Sequence, residues 1–383
     1  MNKLISLLEQ KTGIDTPVVK NILALLDEGA TIPFIARYRK EMTGGISEEK
    51  LREFEEAYAY SKKLLERKEE VLRLIQERGR LDAKVEKDVQ AAISITELED
   101  IYRPYKQKKK TRAGQALAQG LGPLADLLQK ASLSKEDFQN KAFEFVKGDI
   151  SNVQQAIQGA QDILAERFSD DPKEREILRN QARRHGVLQV TAGKEFSAQG
   201  LFPNYKEHRE KIAYIPSHRY LAIMRGVREK ELSVKIDLDL ERILENIRKN
   251  KIPRQAKSSA EFLFAAYQDG LKRLLLPSIE REMHAELKER SDRQAVSIFG
   301  KNLRQLLLTP PVSGMVIMGV DPAYRTGCKL AIIDENGEFL EDALIYPTPP
   351  QNAFQSAKEK VLDLVDRHNV QGVAIGNGTA SRE

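Results

Sequence analysis

A six-residue stretch, TPPVSG at 309–314, divides this 383-residue chain into two different patterns. Before it, apolar residues recur at helical spacing through long charged segments. After it, short apolar runs alternate with turn signals. Two prolines and a glycine do not continue a helix, because proline lacks the amide and its ring clashes with the preceding turn. The sequence therefore predicts a mostly α-helical region over 1–308, a linker at 309–314 and an α/β unit over 315–383.

The helical region is legible from periodicity. Ser47 stands as an N-cap before Glu48 and Glu49, where the helix dipole favours anions. Leu51, Phe54, Tyr58, Leu65, Leu72 and Ile75 then form one apolar stripe, and Gly79 is a stop signal. Similar patterns recur at 84–99, 151–168, 172–185, 239–249 and 258–290, without a fixed repeat period. Residues 231–239 alternate as an isolated strand, and Ser217 is read as the cap of a short helix carrying His218, Arg219 and Arg225.

Composition bounds the classes. At 41% hydrophobic and 31% charged residues the chain can bury a core. No run of about 18 apolar residues is present, so no membrane span is expected. The start is too short and polar for a signal peptide, and Cys328 is the single cysteine, which excludes an internal disulfide and a zinc cluster. A reducing, cytoplasmic setting is the expectation. The five histidines show no ligand spacing, and the net charge of +5 matters less than its distribution.

After the linker, 315–321, 327–334 and 338–346 read as strands, with DENG at 334–337 as a hairpin turn. Residues 352–368 form an amphipathic helix, and VQGVAIGNG is a buried-type strand. In the order β-β-β-α-β, a right-handed crossover lays Val373–Ile375 parallel to Val316–Val320. That is how a ribonuclease H-like fold begins, and it puts Asp321 where such a fold carries a metal-binding carboxylate. Two readings of Asp321 stand side by side. It is a catalytic carboxylate, or it is held by backbone amides of the turn over 323–327. The neighbouring strand end supplies Asn377, a weaker Mg²⁺ ligand than a carboxylate, and Glu383 follows six residues later. One acid does not hold two ions, so no cofactor is expected, with Mg²⁺ implied only for an active site. The chain is expected not to be an enzyme.

GVDPAYRTGCKLAIID (319–334) resembles the start of the YqgF domain, which is related to RuvC-type resolvases, as found in the Tex family. TIPFIARYRKEMTGG (31–45), ELEDIYRPYKQKKKTRAG (97–114), YIPSHRYLAIMRG (214–226) and AIGNGTASRE (374–383) resemble the same family. The resemblance implies a cytoplasmic nucleic-acid-binding protein acting in transcription, with a helix-turn-helix-like element at about 205–226. It covers only the N-terminal part of the family's architecture. The chain is therefore expected to be a fragment whose sheet leaves apolar surface exposed.

The second candidate chemistry is binding. Between Ile101 and Ala125 there is no acid, while Arg103, Lys106, Lys108, Lys109, Lys110 and Arg112 are interleaved with Tyr102 and Tyr105. A mobile basic loop beside aromatic faces suits phosphate contacts and base stacking. Arg37, Arg39 and Lys40 add charge, although Arg37 and Arg39 could instead pair with carboxylates of the helical scaffold. Three functions follow: a non-catalytic scaffold of a transcription accessory factor binding RNA or DNA, a metal-dependent RuvC-like nuclease, and a protein-interaction scaffold on the transcription machinery. Oligomeric state is not encoded in these features.

Overall fold

The computed structural model describes residues 2–108, 110–310 and 312–381. The chain divides into two compact units, Met1–Ala295 and Val296–Glu383.

The first unit opens with α1 (Asn2–Thr12), α2 (Thr16–Asp27), α3 (Ile32–Tyr38), α4 (Lys40–Thr43) and the long α5 (Glu48–Gln76). Ser47 starts α5 by accepting a hydrogen bond from the Lys50 amide, as its sequence predicts. Leu51 and Phe54 close a core with α1–α3, while Leu64, Val71 and Ile75 belong to a second one. That second core is completed by α6 (Ala83–Ala91) and α7 (Ile95–Tyr102). The continuous helix expected over 84–99 is broken because the Ser94 hydroxyl accepts from the Glu97 amide and starts α7 afresh.

The largest core gathers α8 (Arg112–Ala118), α9 (Gly122–Lys130), α10 (Lys135–Phe143), α11 (Val153–Asp170) and α12 (Pro172–His185). Beside them lies a sheet of order β2–β1–β3, built from β1 (Val187–Ala192), β2 (Arg209–Lys211) and β3 (Leu232–Asp237). The 231–239 run is therefore not isolated. Val187 of β1 faces Asp237 on one side and Lys211 on the other, both antiparallel. Next come α13 (Ser217–Arg228), α14 (Leu240–Lys251), α15 (Ala260–Asp269), a π-helical turn over Gly270–Leu275, and α16 (Leu276–Leu307). At Gly270 the π turn presses on α11, where an added Cβ would meet the Ala165 carbonyl oxygen at 2.6 Å.

The structure does not single out the helix-turn-helix-like element expected at about 205–226. A single α-helix, α13, lies there, and the residues before it pair with β1 as edge strand β2. Nor does Ser217 cap α13. Its hydroxyl is buried and hydrogen-bonded to Gln294 Oε1 at 2.5 Å.

A buried ionic cluster joins three helices of this unit. Asp100 of α7 accepts from Arg175 Nε at 2.5 Å and from Arg179 Nη2 at 2.6 Å, both on α12. Glu282 of α16 accepts from both arginines, and the Ser278 hydroxyl accepts from Arg175 at 3.1 Å. Arg175 is only 1% exposed. Burial opposes the Arg179 charge, but the hydrogen bonds to Asp100 and Glu282 outweigh it, leaving the guanidinium pKa above its ordinary value.

The second unit is β4 (Ile317–Asp321), β5 (Cys328–Ile333), β6 (Phe339–Ile345), α17 (Phe354–His368) and β7 (Gly372–Ile375). The sheet order is β6–β5–β4–β7, antiparallel except for β4 and β7, which run parallel with Val320 opposite Ile375. This is the β-β-β-α-β topology expected from the sequence. Leu364 of α17 is buried with Met318, Leu330 and Ile332, while Val373 and Ile375 remain 55% and 61% exposed. The DENG turn is longer than an Asn-Gly hairpin. Ile333 faces Phe339, and the Asp334 carboxylate spans the gap by accepting from the Asn336 and Glu338 amides, both at 2.8 Å.

Replacing Asp100 with Ala leaves two buried guanidinium groups sharing one partly exposed carboxylate. Asp100→Ala is expected to lower stability by about 3–5 kcal/mol, the range for breaking a buried ion pair from one side. Urea unfolding checks this, and a loss below about 1 kcal/mol would show that the cluster is not a structural tie.

Candidate nucleic-acid interface

The basic window begins where α7 ends. Pro104 stops the helix, and Arg103–Tyr105 forms a 3₁₀ turn. At the far end, the Thr111 hydroxyl accepts from the Gly114 amide at 2.9 Å and starts α8. The loop between is anchored, contrary to the mobile loop expected. Arg103 Nε lies 3.2 Å from Asp170 Oδ1 at the end of α11, and Lys108 pairs with Asp170 and, at 3.2 Å, with Glu166. Asp170 is 6% exposed. Burial raises its carboxyl pKa, against the pull of Lys108 and Arg103. The window lacks acids of its own, but the fold brings two to it from 58–67 residues downstream.

The remaining residues of the window divide by environment. Lys106, Lys110 and Arg112 are exposed and make no ion pair among the described residues. Lys109 lies outside the described residues. Tyr102 is 4% exposed inside the second core, so its ring cannot stack on a base, and Tyr105 is half-buried against the same core. Arg112 also lines a cavity of about 600 Å³ between α8 and α11, with Gln115, Gln119, Gln155, Gln158 and Asp162. Burial raises the Asp162 pKa, and the charges of Arg273 and Arg112 oppose the rise.

On α13, Tyr220, Ile223 and Gly226 face inward, leaving His218 and Arg225 exposed. Tyr220 Oη donates to the His284 carbonyl at 3.0 Å, and burial pushes the phenol up to about 12. Arg219 is committed to Glu210, at 2.6 and 2.8 Å from its two oxygens. Burial works against the Glu210 charge, but Arg219 and His208 outweigh it and hold the carboxyl below its ordinary range. The loop docks on α11 through Lys108 and α13 docks on α16 through Ser217, and among the described residues no ion pair or hydrogen bond joins the two basic segments.

Asp321 ends β4 with Lys329 as its strand partner, and the Gly376 amide donates to the Val320 carbonyl at 2.8 Å. Asp321 is exposed, and among the described residues its side chain makes no hydrogen bond or ion pair. The capping amides expected over 323–327 do not hold it. Beside it lies Gly376–Gly378, where a Cβ on Gly378 would stand 3.9 Å from Asp321 Oδ1. Asn377 therefore occupies the neighbouring strand end, as the register predicts, and Glu383 lies outside the described residues. Among the described residues, no group of three or more His, Cys, Asp or Glu is arranged to hold a metal ion.

Known proteins resemble this chain in sequence over most of its length. Residues 2–76 match the Tex-like protein N-terminal domain, 134–299 the Tex central region-like domain, and 315–383 the Tex protein YqgF-like domain. The chain belongs to the Tex family. It is 41% identical to the uncharacterized protein YdcI of Bacillus subtilis, over 98% of this chain and 52% of that one. It is 36% identical to the transcriptional accessory protein Tex of Neisseria gonorrhoeae, over 98% and 50%. It is 32% identical to the human S1 RNA-binding domain-containing protein 1, over 99% and 39%. The chain thus spans about half the length, or less, of these curated relatives. No described helix is long and apolar enough to cross a membrane.

Sequence reasoning missed Asp170 and Glu166, which decide which loop cations remain free. The available signal was Glu166 and Asp170, two acids one turn apart at the C-terminal end of that helix. Because Asp321 is exposed and unbonded, Asp321→Asn is expected to leave stability within about 0.5 kcal/mol of the parent, as for an ordinary surface change. Thermal unfolding of the two proteins checks it. A loss of more than about 1 kcal/mol would restore the capped-turn reading.

Proposed function

We propose that this chain is the nucleic-acid-binding scaffold of a transcription accessory factor, working in the cytoplasm without catalysis. The observation that carries the reading is the anchored loop. Arg103 and Lys108 fix it to α11, which leaves Lys106, Lys110 and Arg112 exposed and without an ion pair among the described residues, Arg112 feeling Asp162 only across a cavity. Unpaired cations on a fixed support lose little freedom on meeting phosphates and displace the counterions around them. His218 and Arg225 on α13 offer a second contact for DNA or RNA. The names of the relatives, one a transcriptional accessory protein and one a protein with an S1 RNA-binding domain, fit this class.

The nuclease alternative has less behind it. Asp321 stands beside Asn377 rather than a second acid, and two-metal hydrolysis needs several carboxylates. We read the β4–β7 unit as the opening of a ribonuclease H-like fold kept for its shape. On this reading the divisions are 1–308 and 315–383, joined by 309–314, and docking on the transcription machinery is an added role.

Binding to duplex and single-stranded oligonucleotides over a salt series tests the proposal. The triple variant Lys106→Ala, Lys110→Ala, Arg112→Ala should flatten the slope of log K against log salt by roughly 2–3, at ~0.7–0.9 per phosphate contact. Lys108→Ala should change the slope by less than about 1. An unchanged slope in the triple variant would remove the loop from the interface.

A further inference from the structure

The outward face of α3 and α4 has a composition that packing does not explain. Helix α3 sends Ile32 and Ile35, 3% and 0% exposed, into the first core. Its other face carries Phe34 and Tyr38 at four-residue spacing, 40% and 65% exposed, and the short α4 that follows adds Met42, 40% exposed. Leaving three large apolar side chains in water forgoes the gain of burying them, so such a stripe marks a contact surface. The rings of Phe34 and Tyr38 lie 5.3 Å apart at 45°, and the Arg39 guanidinium sits 5.1 Å from the Phe34 centroid.

The charges around the rings decide the partner. Arg37, Arg39 and Lys40 are exposed, and none pairs with a carboxylate among the described residues. The scaffold pairing that the sequence allows for Arg37 and Arg39 is not made among the described residues. Among the described residues the Arg39 side chain donates only to the neighbouring Tyr38 carbonyl, at 3.1 Å. Over 31–47, Glu41 is the single acid against these three cations. Exposed rings flanked by unpaired cations match single-stranded nucleic acid, in which bases stack on aromatic faces while phosphates meet the cations. A duplex hides its base faces and would use only the charges.

We infer that Phe34 and Tyr38, flanked by Arg37, Arg39 and Lys40, form a stacking platform for one or two bases of a single strand. This site uses none of the residues of the loop at 103–112 and does not involve Asp321. It goes beyond the proposed function by assigning strand recognition to the N-terminal helices.

The chain contains no tryptophan, which allows a direct test. Tyr38→Trp introduces a single fluorophore at the platform and keeps a stacking surface. The probes are an oligouridylate and a hairpin duplex of equal length, both with the full chain. Tyr38→Trp should bind oligouridylate like the parent, with its emission quenched at saturation. Tyr38→Ala should bind it roughly 5- to 150-fold more weakly, the range for losing one stacked base, with duplex affinity little changed. Because Tyr38 is exposed, an unchanged melting temperature would show that the variants fold. Parent-like oligouridylate binding by Tyr38→Ala, or emission from Tyr38→Trp that saturating oligouridylate does not move, overturns the inference and leaves the face to a protein partner. The salt slope set by Lys106, Lys110 and Arg112 is read independently, so the platform can fail while the loop interface stands.

Discussion

The pairing of Asp100 with Arg175 and Arg179, closed by Glu282, is the interaction on which the helical unit's surface depends. A fully buried guanidinium is costly unless every donor direction meets an acceptor. Here α7, α12 and α16 each supply part of the cluster, so none can move without stranding a charge. Apolar packing alone would hold these helices with less directional demand. The loop at 103–111 leaves directly from the end of α7, and one residue separates Asp170, its anchor, from α12. The buried cluster therefore fixes both the root of the basic loop and the carboxylate that holds it down.

This changes how the charge of the chain is read. A net +5 is modest and says little about partners. What matters is which cations the fold neutralises. Arg103 and Lys108 are paired by acids distant in sequence and Arg219 by Glu210 of β2, whereas Lys106, Lys110, Arg112, Arg37, Arg39 and Lys40 make no ion pair among the described residues. Pairing costs these groups their availability for phosphate but gives the segments a defined position. The free groups then act from a rigid base rather than from a solvated coil. At Asp321 the balance is reversed, since an exposed acid without partners neither stabilises its turn nor assembles a metal site from the described side chains.

Elements with local causes were legible in the sequence. The Ser47 cap set the start of α5, the prolines near 310 separated helix from strand, and the β-β-β-α-β pattern led to the parallel pairing of Val320 with Ile375. Features set by distant partners were not legible. Strand β1 and the pairing of β3 were missed because that small sheet forms between segments about 45 residues apart. Ser217 read as a cap because the rule is local, yet its hydroxyl serves Gln294, 77 residues away. Tyr102 read as an exposed ring because its neighbours are basic, although α7 turns it into the core. The same limit made six cations look equivalent until the fold supplied Asp170 and Glu166.

The direct measurement is lysine reactivity in the full chain, read by mass spectrometry after brief acetylation with and without single-stranded RNA. The account predicts that Lys106 and Lys110 react quickly in the free protein and are protected by RNA. Lys108, held between Asp170 and Glu166, should react slowly in both states. Lys108 reacting as fast as Lys106 in the free protein, or Lys106 and Lys110 gaining no protection at saturating RNA, would contradict it.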